Sequence, residues 1–575
     1  MSRKLAIAPI VLCGLSILLY GFYYEYISYS ALWFAALVSF TSVILIVSES
    51  RMELDRLLVV VALLVSLQTL VMWRRPPWGF SIEIDSSFDL QLSSLVLEAG
   101  RWGPGMGFGT TKEYSYFPAL HIFTTALAET AGLSPVHIAQ FLPSILLGPL
   151  TVILYYLSMR MLLPGKVAMW ASLVFSICPQ LVFFEAGYRR EIFALAVYSI
   201  YLFTIICIYT GRTGGRGFFL VGVVGAFAVS TAHHWTAYNL LLIPIVLFGL
   251  ARVYVRVVNF FRHDLPSHIR VASLRLIEIT YILVFSWIAF VSFIILTSQA
   301  KMGFDALALI LSPHELYSPT LAPYTFQERM MIYWGLLVLA VLGTYELLIS
   351  MFRKRKSSKE FILESWFIFS SVYIALFTFL VPKEMGFMVV TQRSWVFAFF
   401  GLSPLIAKNL AEKYKSSSRL NLRSNVFRQK ISQYKPLLLI FPLISAVLMS
   451  QPHVHNPSFI LPSDSYYSAA LWIRNYAEPK TDITVGSEFA RLVLIPYGRV
   501  DSFRTSLDDF LQRLANQPTN LTYVFAERRI IVWDKQVHTE YLDDLRSVAN
   551  ISFFEAYCNR IYDSPSSLVY LNEGF

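Results

Sequence analysis

The sequence predicts a mainly α, polytopic helical membrane protein that ends in a small extracytoplasmic α/β domain. Three observations predict it. Of 575 residues, 56% are hydrophobic and only 15% are charged, against roughly 25% charged in soluble domains. The apolar residues come in runs that can cross a bilayer core, which takes about 20 residues of helix. From Pro452 onward those runs stop, and short helix and strand patterns replace them. Backbone groups in lipid must be satisfied within the segment itself, so the runs are read as helices.

In chain order the spans read at 5–24, 31–48, 57–73, 136–162, 166–184, 192–210, 217–233, 236–254, 276–297, 330–351, 361–381, 394–408 and 436–450, about thirteen by the bilayer-length criterion. The first follows Arg3 and Lys4 as a signal peptide would, but its run is long and no A-x-A site follows, so it reads as a retained anchor. Lys/Arg placement sets the orientation. The loops at 252–275, 352–360 and 408–436 are basic and read as cytoplasmic, with the N-terminus on the same side. The net charge of +10 is then mostly a topology signal, divided among several inside loops, and does not point to nucleic acid. The outside holds 74–135, 185–191, 234–235, 298–329, 382–393 and the tail. Cys13, Cys178 and Cys207 fall in spans and only Cys558 in the tail, so no disulfide framework or CxxC metal site is available.

The tail, 451–575, reads as a separate α/β layer structure of about 120 residues, enough for one core. "SDSYYSAALWIRNYA", "SLDDFLQRLAN" and "TEYLDDLRSVAN" read as helices. "DITVGS" and "NLTYVFA" read as buried strands, and "CNRIYDSPSSLVYLN" as a hairpin turning at Ser564–Pro565. Residues 1–450 read as the membrane domain, with 74–135 as its long first outer loop.

The outside loops carry nearly all the carboxylates near the membrane, among them Glu83, Asp85, Asp89, Glu98, Glu185, Glu191 and Glu315. A single exposed carboxylate is ordinarily a solvated loop residue. Glu83 and Asp85, two apart just after a span, would share a side in an extended or turn segment. Such a pair suits a divalent cation or a general base on an acceptor hydroxyl. Asp89 has no assigned part. Glu191 opens a span, where a negative charge also suits a helix N-terminus. Arg189 and Arg190 beside it suit a phosphate or the membrane surface. Arg393 opens a span on the outer side; a cation there either snorkels or, at the wrong end of the helix dipole, pairs with a phosphate. His233 and His234 lie at an outward turn; helical phase lets at most one of them point into a site. His453 and His455 have strand-like metal spacing, but zinc needs more ligands than can be assigned.

The stretch "EIDSSFDLQ" followed by "LVLEAG" resembles the first outer loop of the GT-C glycosyltransferases, and of the oligosaccharyltransferase catalytic subunit in particular, where E-F-D-P-W/Y-F-N-Y-R precedes an L-V-x-x-G run. "YFPALH" (116–121) is similar to that family's Tyr-Pro segment before the next span. "FFEAGYRREIFAL" resembles its A-G-x-x-D-N-E motif, with Glu191 on the Glu and Arg189 where the family has a metal-binding Asp. "LILSPHELYSPT" is similar to the S-V-S-E/T-I-x-E loop and places Glu315 there. "GFMVVTQRSWVFAFFGLSPLIA" resembles G-V-M-V-R-L-M-L-T-L-T-P, with Arg393 on the arginine that contacts the lipid phosphate. With YFPALH counted as part of the first-loop match, the four segments occur in family order. Two extra spans precede the first, and the W-W-D-Y-G motif is absent from the tail.

The resemblance implies a glycosyltransferase moving a sugar from a polyprenyl- or dolichyl-phosphate donor in the bilayer to a glycan, lipid or protein acceptor on the outer face, with no nucleic-acid partner. Asp85 would be the catalytic carboxylate with Glu83 beside it. Arg393 would hold the donor phosphate, with Arg190 and Lys383 in reserve. Tyr116, His121 and His234 would face the acceptor. Asp85, Glu191 and Glu315 would hold Mg or Mn, weakly or not at all given Arg189. The rival readings are a transporter or lipid-linked-sugar flippase, a polymerase or ligase of lipid-linked glycans, and a non-catalytic membrane assembly protein. A transporter would need ionisable groups deep in its spans, where this sequence is nearly uncharged.

Overall fold

The structure, a computed structural model, describes residues 84–106, 111–211, 216–261, 274–297 apart from 296, 326–351, 358–375 and 385–411, together with five strands between 482 and 571. These fall into two compact units. One contains the described residues of 141–186 and 190–411; the other contains those of 84–140, 187–189 and the strands. The spans read at 5–24, 31–48, 57–73 and 436–450, the three tail helices, and Glu83, Glu315 and Lys383 lie outside the described residues.

In the second unit, helix α1 (Ile84–Ala99) packs on α3 (Ala119–Ala131), with the short α2 (Thr111–Tyr114) against α1. Phe88, Leu92 and Val96 of α1 are buried, and the Phe88 ring meets Tyr114 edge-on at 5.2 Å. The chain ends α3 at Gly132, where φ of +66° favours a residue without Cβ, and the Leu133 N–H bonds back to the Ala128 carbonyl. Ser134 and Pro135 then open α4 (Pro135–Phe141), with the His137 N–H donating to Ser134 Oγ.

The first unit is a helical bundle. A π-helical turn, Leu142–Leu147, leads into α5 (Gly148–Leu162). There follow α6 (Gly165–Ser176), α7 (Pro179–Ala186), α8 (Arg190–Tyr209), α9 (Arg216–Ala232) and α10 (His234–Pro244). A second π turn, Ile245–Leu250, leads into α11 (Ala251–Phe261), and α12 (Leu274–Phe290), α13 (Phe326–Met351), α14 (Ser358–Ala375) and α15 (Met385–Ala411) complete it. Among the described residues, three helical stretches are long and apolar enough to cross a membrane: Pro135–Leu162, Arg190–Tyr209 and Arg393–Ala411.

Proline explains where uniform spans break up. The run read as one span at 166–184 is two helices, because Pro179 has no N–H and displaces the residue before it from helical geometry. Pro143 lies in the first π turn and Pro244 directly precedes the second; a missing donor is one cause of such widened turns. Arg252 and Arg256, read as part of a basic loop, lie exposed on helix α11.

The bundle centres on α15, which packs on α6, α13 and α14. Tyr155 of α5, Phe175 of α6, Tyr198 of α8 and Phe400 of α15 form one aromatic cluster, with centroid separations of 4.4 to 5.3 Å. The Tyr155 hydroxyl donates to the Phe400 carbonyl at 2.8 Å. At the other end of α15, Lys408 bridges Glu360 of α14 at 3.1 Å and Glu346 of α13 at 3.6 Å. Glu364, buried on α14, accepts from Tyr254 at 2.8 Å and from Ser350. Buried carboxylates thus occur near span ends, at Glu346 and Glu364.

The five strands form one mixed sheet of order β2-β1-β3-β5-β4. Strand β1 (Asp482–Val485) lies between β2 (Asp501–Arg504) and β3 (Tyr523–Glu527), parallel to both. Strands β4 (Asn559–Asp563) and β5 (Ser567–Leu571) form an antiparallel hairpin, and β5 pairs antiparallel with β3. β1, β3 and the hairpin fall on the segments read as strands. β2, in "VDSFRTS", has no apolar run and was not anticipated.

Gly401 lets α14 approach α15: a Cβ there would collide with the Ser370 hydroxyl and stand 2.5 Å from the Trp366 ring. Gly401→Ala is expected to lower the melting temperature by the equivalent of about 1–3 kcal/mol of overpacking. Gly217→Ala, with nothing within 4 Å, is expected to leave it unchanged. Equal melting temperatures for both variants in detergent would show that the approach is not tight.

Candidate functional site

Two clusters of buried polar side chains stand out, one in each unit. In the bundle, Glu191 is the second residue of α8 and is buried. Arg393 Nη2 lies 2.8 Å from its Oε1. Arg393 does not open its helix, as the apolar run suggests: α15 begins at Met385, two turns earlier. The dipole argument for a misplaced cation therefore falls away, and direct pairing with Glu191 takes its place.

The histidines complete this cluster. His233 breaks the chain between α9 and α10 with extended backbone, φ −160° and ψ 126°. Its Nδ1 lies 3.0 Å from Thr236 Oγ1, and its Nε2 faces Glu191 Oε1 at 3.7 Å. The His234 ring lies 4.6 Å from the His233 ring. Because His233 is not helical, the phase rule that admits only one of the two does not apply. Burial holds the His234 imidazole well below the usual histidine range; His233, Arg393 and Arg190 push it further down, and Glu191 opposes them. Arg190, the first residue of α8, is itself buried. The predicted residues Glu191, Arg190, Arg393 and His234 are thus brought together, and His233 joins them.

Arg393 pairs with Oε1 of Glu191, and no group of three or more His, Cys, Asp or Glu gathers among the described residues, which do not include Glu315.

In the second unit, Asp85 lies in the first turn of α1, so the extended or turn geometry read for it gives way to a helix. One turn later, Asp89 is fully buried, with Oδ1 3.5 Å from His121 Nε2 on α3. His121 Nδ1 lies 3.1 Å from Ser93 Oγ, and Ser93 Oγ lies 2.7 Å from the Tyr188 hydroxyl. Tyr188 donates to Thr124 Oγ1 at 2.7 Å. Burial pushes the Tyr188 hydroxyl up, and Asp89 adds to the rise while Ser93 and Thr124 oppose it; the phenol keeps its proton. His121, read as facing an acceptor, is fully buried. Tyr116 is half-buried between α2 and α3. Arg189 is buried, and a Cβ on neighbouring Gly187 would stand 3.1 Å from both Arg189 Nε and Ser86 Oγ.

Sequence reasoning missed Asp89, Ser93, Tyr188 and His233. The i, i+4 spacing of Asp89 and Ser93 on one helix was the available signal. Their partners come from residues 28 to 95 positions away, which spacing does not reveal.

No family model matches the chain, and no curated protein sequence matches it. Solved structures do. The oligosaccharyltransferase AglB from Archaeoglobus fulgidus, in complex with an inhibitory peptide and a dolichol-phosphate, is similar at a TM-score of 0.50 and 14% identity, over 90% of this chain and 74% of that one. ArnT from Cupriavidus metallidurans, bound to undecaprenyl phosphate, is similar at a TM-score of 0.50 and 12% identity, over 90% of this chain and 97% of that one. The chain shares its overall fold with these two proteins.

The depressed His234 has a consequence for stability. Its folded value lies well below its ordinary value of 6.5. Its contribution is therefore complete above about pH 6.5 and falls as pH drops below that, because the unfolded chain takes up a proton that the folded one refuses. Melting temperatures in detergent from pH 7.5 to 5 are expected to fall less steeply for His234→Gln than for the parent protein. Identical slopes would mean that His234 titrates normally.

Proposed function

We propose that the protein is a membrane glycosyltransferase. In this reading it moves a sugar from a polyprenyl-phosphate-linked donor to a glycan, lipid or protein acceptor at the extracytoplasmic face. One observation carries the reading: Arg393 is held, largely buried, on the carboxylate of Glu191, in a fold that two proteins solved with polyprenyl or dolichol phosphates share.

The chemistry follows from what these groups do. The acceptor oxygen attacks the anomeric carbon as the bond from that carbon to the phosphate oxygen breaks. The bonding pair leaves with the lipid phosphate, and the acceptor's proton passes to Asp85, so the anomeric configuration inverts. Charge grows on the phosphate oxygen as it leaves. A guanidinium offers that oxygen paired, charge-assisted hydrogen bonds, and Arg393 already has its orientation set by Glu191. Such preorganised donors are worth several kcal/mol in a water-poor site, roughly the effect of an oxyanion donor. Arg190 and Lys383 add positive charge in this reading. The leaving phosphate is thus stabilised by cationic side chains, and a divalent cation such as Mg or Mn is bound weakly or not at all. A donor tethered in the bilayer keeps its reacting carbon near the headgroups, so the base must stand just beyond a span, as Asp85 does in the sequence. The tail at 451–575, read as extracytoplasmic, serves the acceptor.

Transfer of labelled sugar from a polyprenyl-phosphate donor by purified protein tests this. Asp85→Asn is expected to lower turnover by roughly 10²–10⁴-fold, as loss of a general base does. Arg393→Ala is expected to lower it by roughly 10²–10³-fold, as loss of an oxyanion donor does. Glu98→Gln, on an exposed residue, is the control. Near-normal transfer by Asp85→Asn would sink the assignment. A separate expectation concerns metal: activity should largely survive thorough chelation. Complete loss, restored by manganese or magnesium, would instead assign the carboxylates a metal.

A further inference from the structure

We infer that α11 is an interfacial helix that binds an anionic phospholipid: Arg252 and Arg256 take the headgroup phosphate while Val253 and Val257 rest on the acyl chains. The inference rests on the reading of the bundle as membrane-spanning and is independent of the chemistry proposed for Asp85 and Arg393. The helix divides into three sectors. Tyr254 and Val255 face the protein: Val255 is buried, and the Tyr254 hydroxyl donates to Glu364 of α14 at 2.8 Å. Arg252 and Arg256, one turn apart, are exposed and form the second sector. Val253 and Val257, also one turn apart, are 55% and 50% exposed and form the third. At about 3.6 residues per turn, the basic and apolar stripes lie side by side on the half of the helix that faces away from α14.

The depth of α11 follows from its neighbours. Glu364, which accepts from Tyr254, also accepts from Ser350 in the last turn of α13. One turn earlier on α14, Glu360 pairs with Lys408 in the last turn of α15. Lys359 beside it donates to the carbonyl of Met161 at 2.8 Å, in the last turn of α5 and next to the exposed Arg160. The ends of α5, α13, α14 and α15 thus gather at the level of α11, together with their lysines and arginines. In a membrane bundle that level is the headgroup region.

A helix at that depth meets acyl chains along one side and headgroups along the other, and the two exposed stripes match that boundary. Helix α12 shows the contrast. From Ile282 to Phe290 its exposed side chains carry no charge, as a face held in hydrocarbon requires. A phospholipid supplies both complements in one molecule. Its phosphate accepts paired, charge-assisted hydrogen bonds from a guanidinium, and its chains cover the valines beside it.

The full chain, purified in detergent, is titrated with phosphatidylglycerol, with phosphatidylcholine or with inorganic phosphate, and the melting temperature reports binding. Phosphatidylglycerol is expected to raise it at a lower concentration than phosphatidylcholine. Inorganic phosphate, which offers nothing to the valines, is expected to leave it unchanged. Arg252→Gln with Arg256→Gln is expected to raise the phosphatidylglycerol midpoint by roughly 10- to 30-fold, at about fivefold for each cation near an anionic leaflet. Arg216→Gln, on an exposed arginine that opens α9, is the comparison for bulk charge and is expected to have little effect. Benzoylphenylalanine placed at Val257 gives a second readout: irradiated in the native membrane, it is expected to crosslink to phospholipid. Equal midpoints for the two lipids overturn the proposal, as does a response to inorganic phosphate as large as that to phosphatidylglycerol. A loss from Arg216→Gln equal to that from Arg256→Gln alone assigns the effect to bulk charge and overturns it too. Crosslinking at 257 to a polypeptide instead of a lipid makes the face a protein contact and likewise overturns it.

Discussion

A charge removed from water among apolar helices costs several kcal/mol unless an opposite charge sits directly on it, and the bundle is organised around meeting that requirement. Arg393 meets it on Glu191, and Lys408 meets it on Glu346 and Glu360. Both cations belong to α15, one near each end. The helix that packs on α6, α13 and α14 is therefore pinned at two levels, with the aromatic cluster around Phe400 between them. Sliding or rotating α15 would separate both ion pairs at once, which fixes the height and direction of Arg393 more firmly than apolar packing alone.

The same requirement sets the chemistry available near Glu191. A guanidinium already matched by a carboxylate has surrendered much of its hydration before any anion arrives. Under the proposed function, a donor phosphate would compete with Glu191 for hydrogen bonds instead of with bulk water. The neighbouring His234 stays uncharged in this setting because burial and the two arginines oppose its protonation. The cluster keeps its positive charge on the arginines and adds none from the imidazole.

Much of this was legible in the sequence, and what was not has definite causes. Long apolar runs gave the position of helices α5, α8, α9, α12 and α13, because a run of that length in lipid has one backbone solution. They did not reveal the breaks at Pro179 and Pro244, since hydropathy averages over the residue that removes a donor. Short apolar runs gave β1 and β3, and the turn at Ser564–Pro565 gave the β4–β5 hairpin. They missed β2, whose sequence DSFR lacks an apolar run and which is defined by its pairing with β1. Among site residues, Glu191 and Arg393 could be singled out by position but not as each other's partner. Asp89 looked idle, because a carboxylate in a loop-like stretch is ordinarily solvated and nothing local marks it as buried against His121. His233 was discounted by a helical-phase rule that fails where the helix itself is interrupted.

The start of α5 carries one further constraint. Ser144 in the first π turn donates to the Glu185 carbonyl at 2.6 Å, and the fully buried Glu185 side chain lies so close to Gly148 that a Cβ there would stand 2.5 Å from its Oε1. Positions 148 and 185 are thus a two-locus unit. Any larger residue at 148 requires the Glu185 side chain to move, and shortening 185 relieves that requirement. Substitutions at the two positions are therefore coupled: the effect of enlarging 148 depends on the length of the side chain at 185.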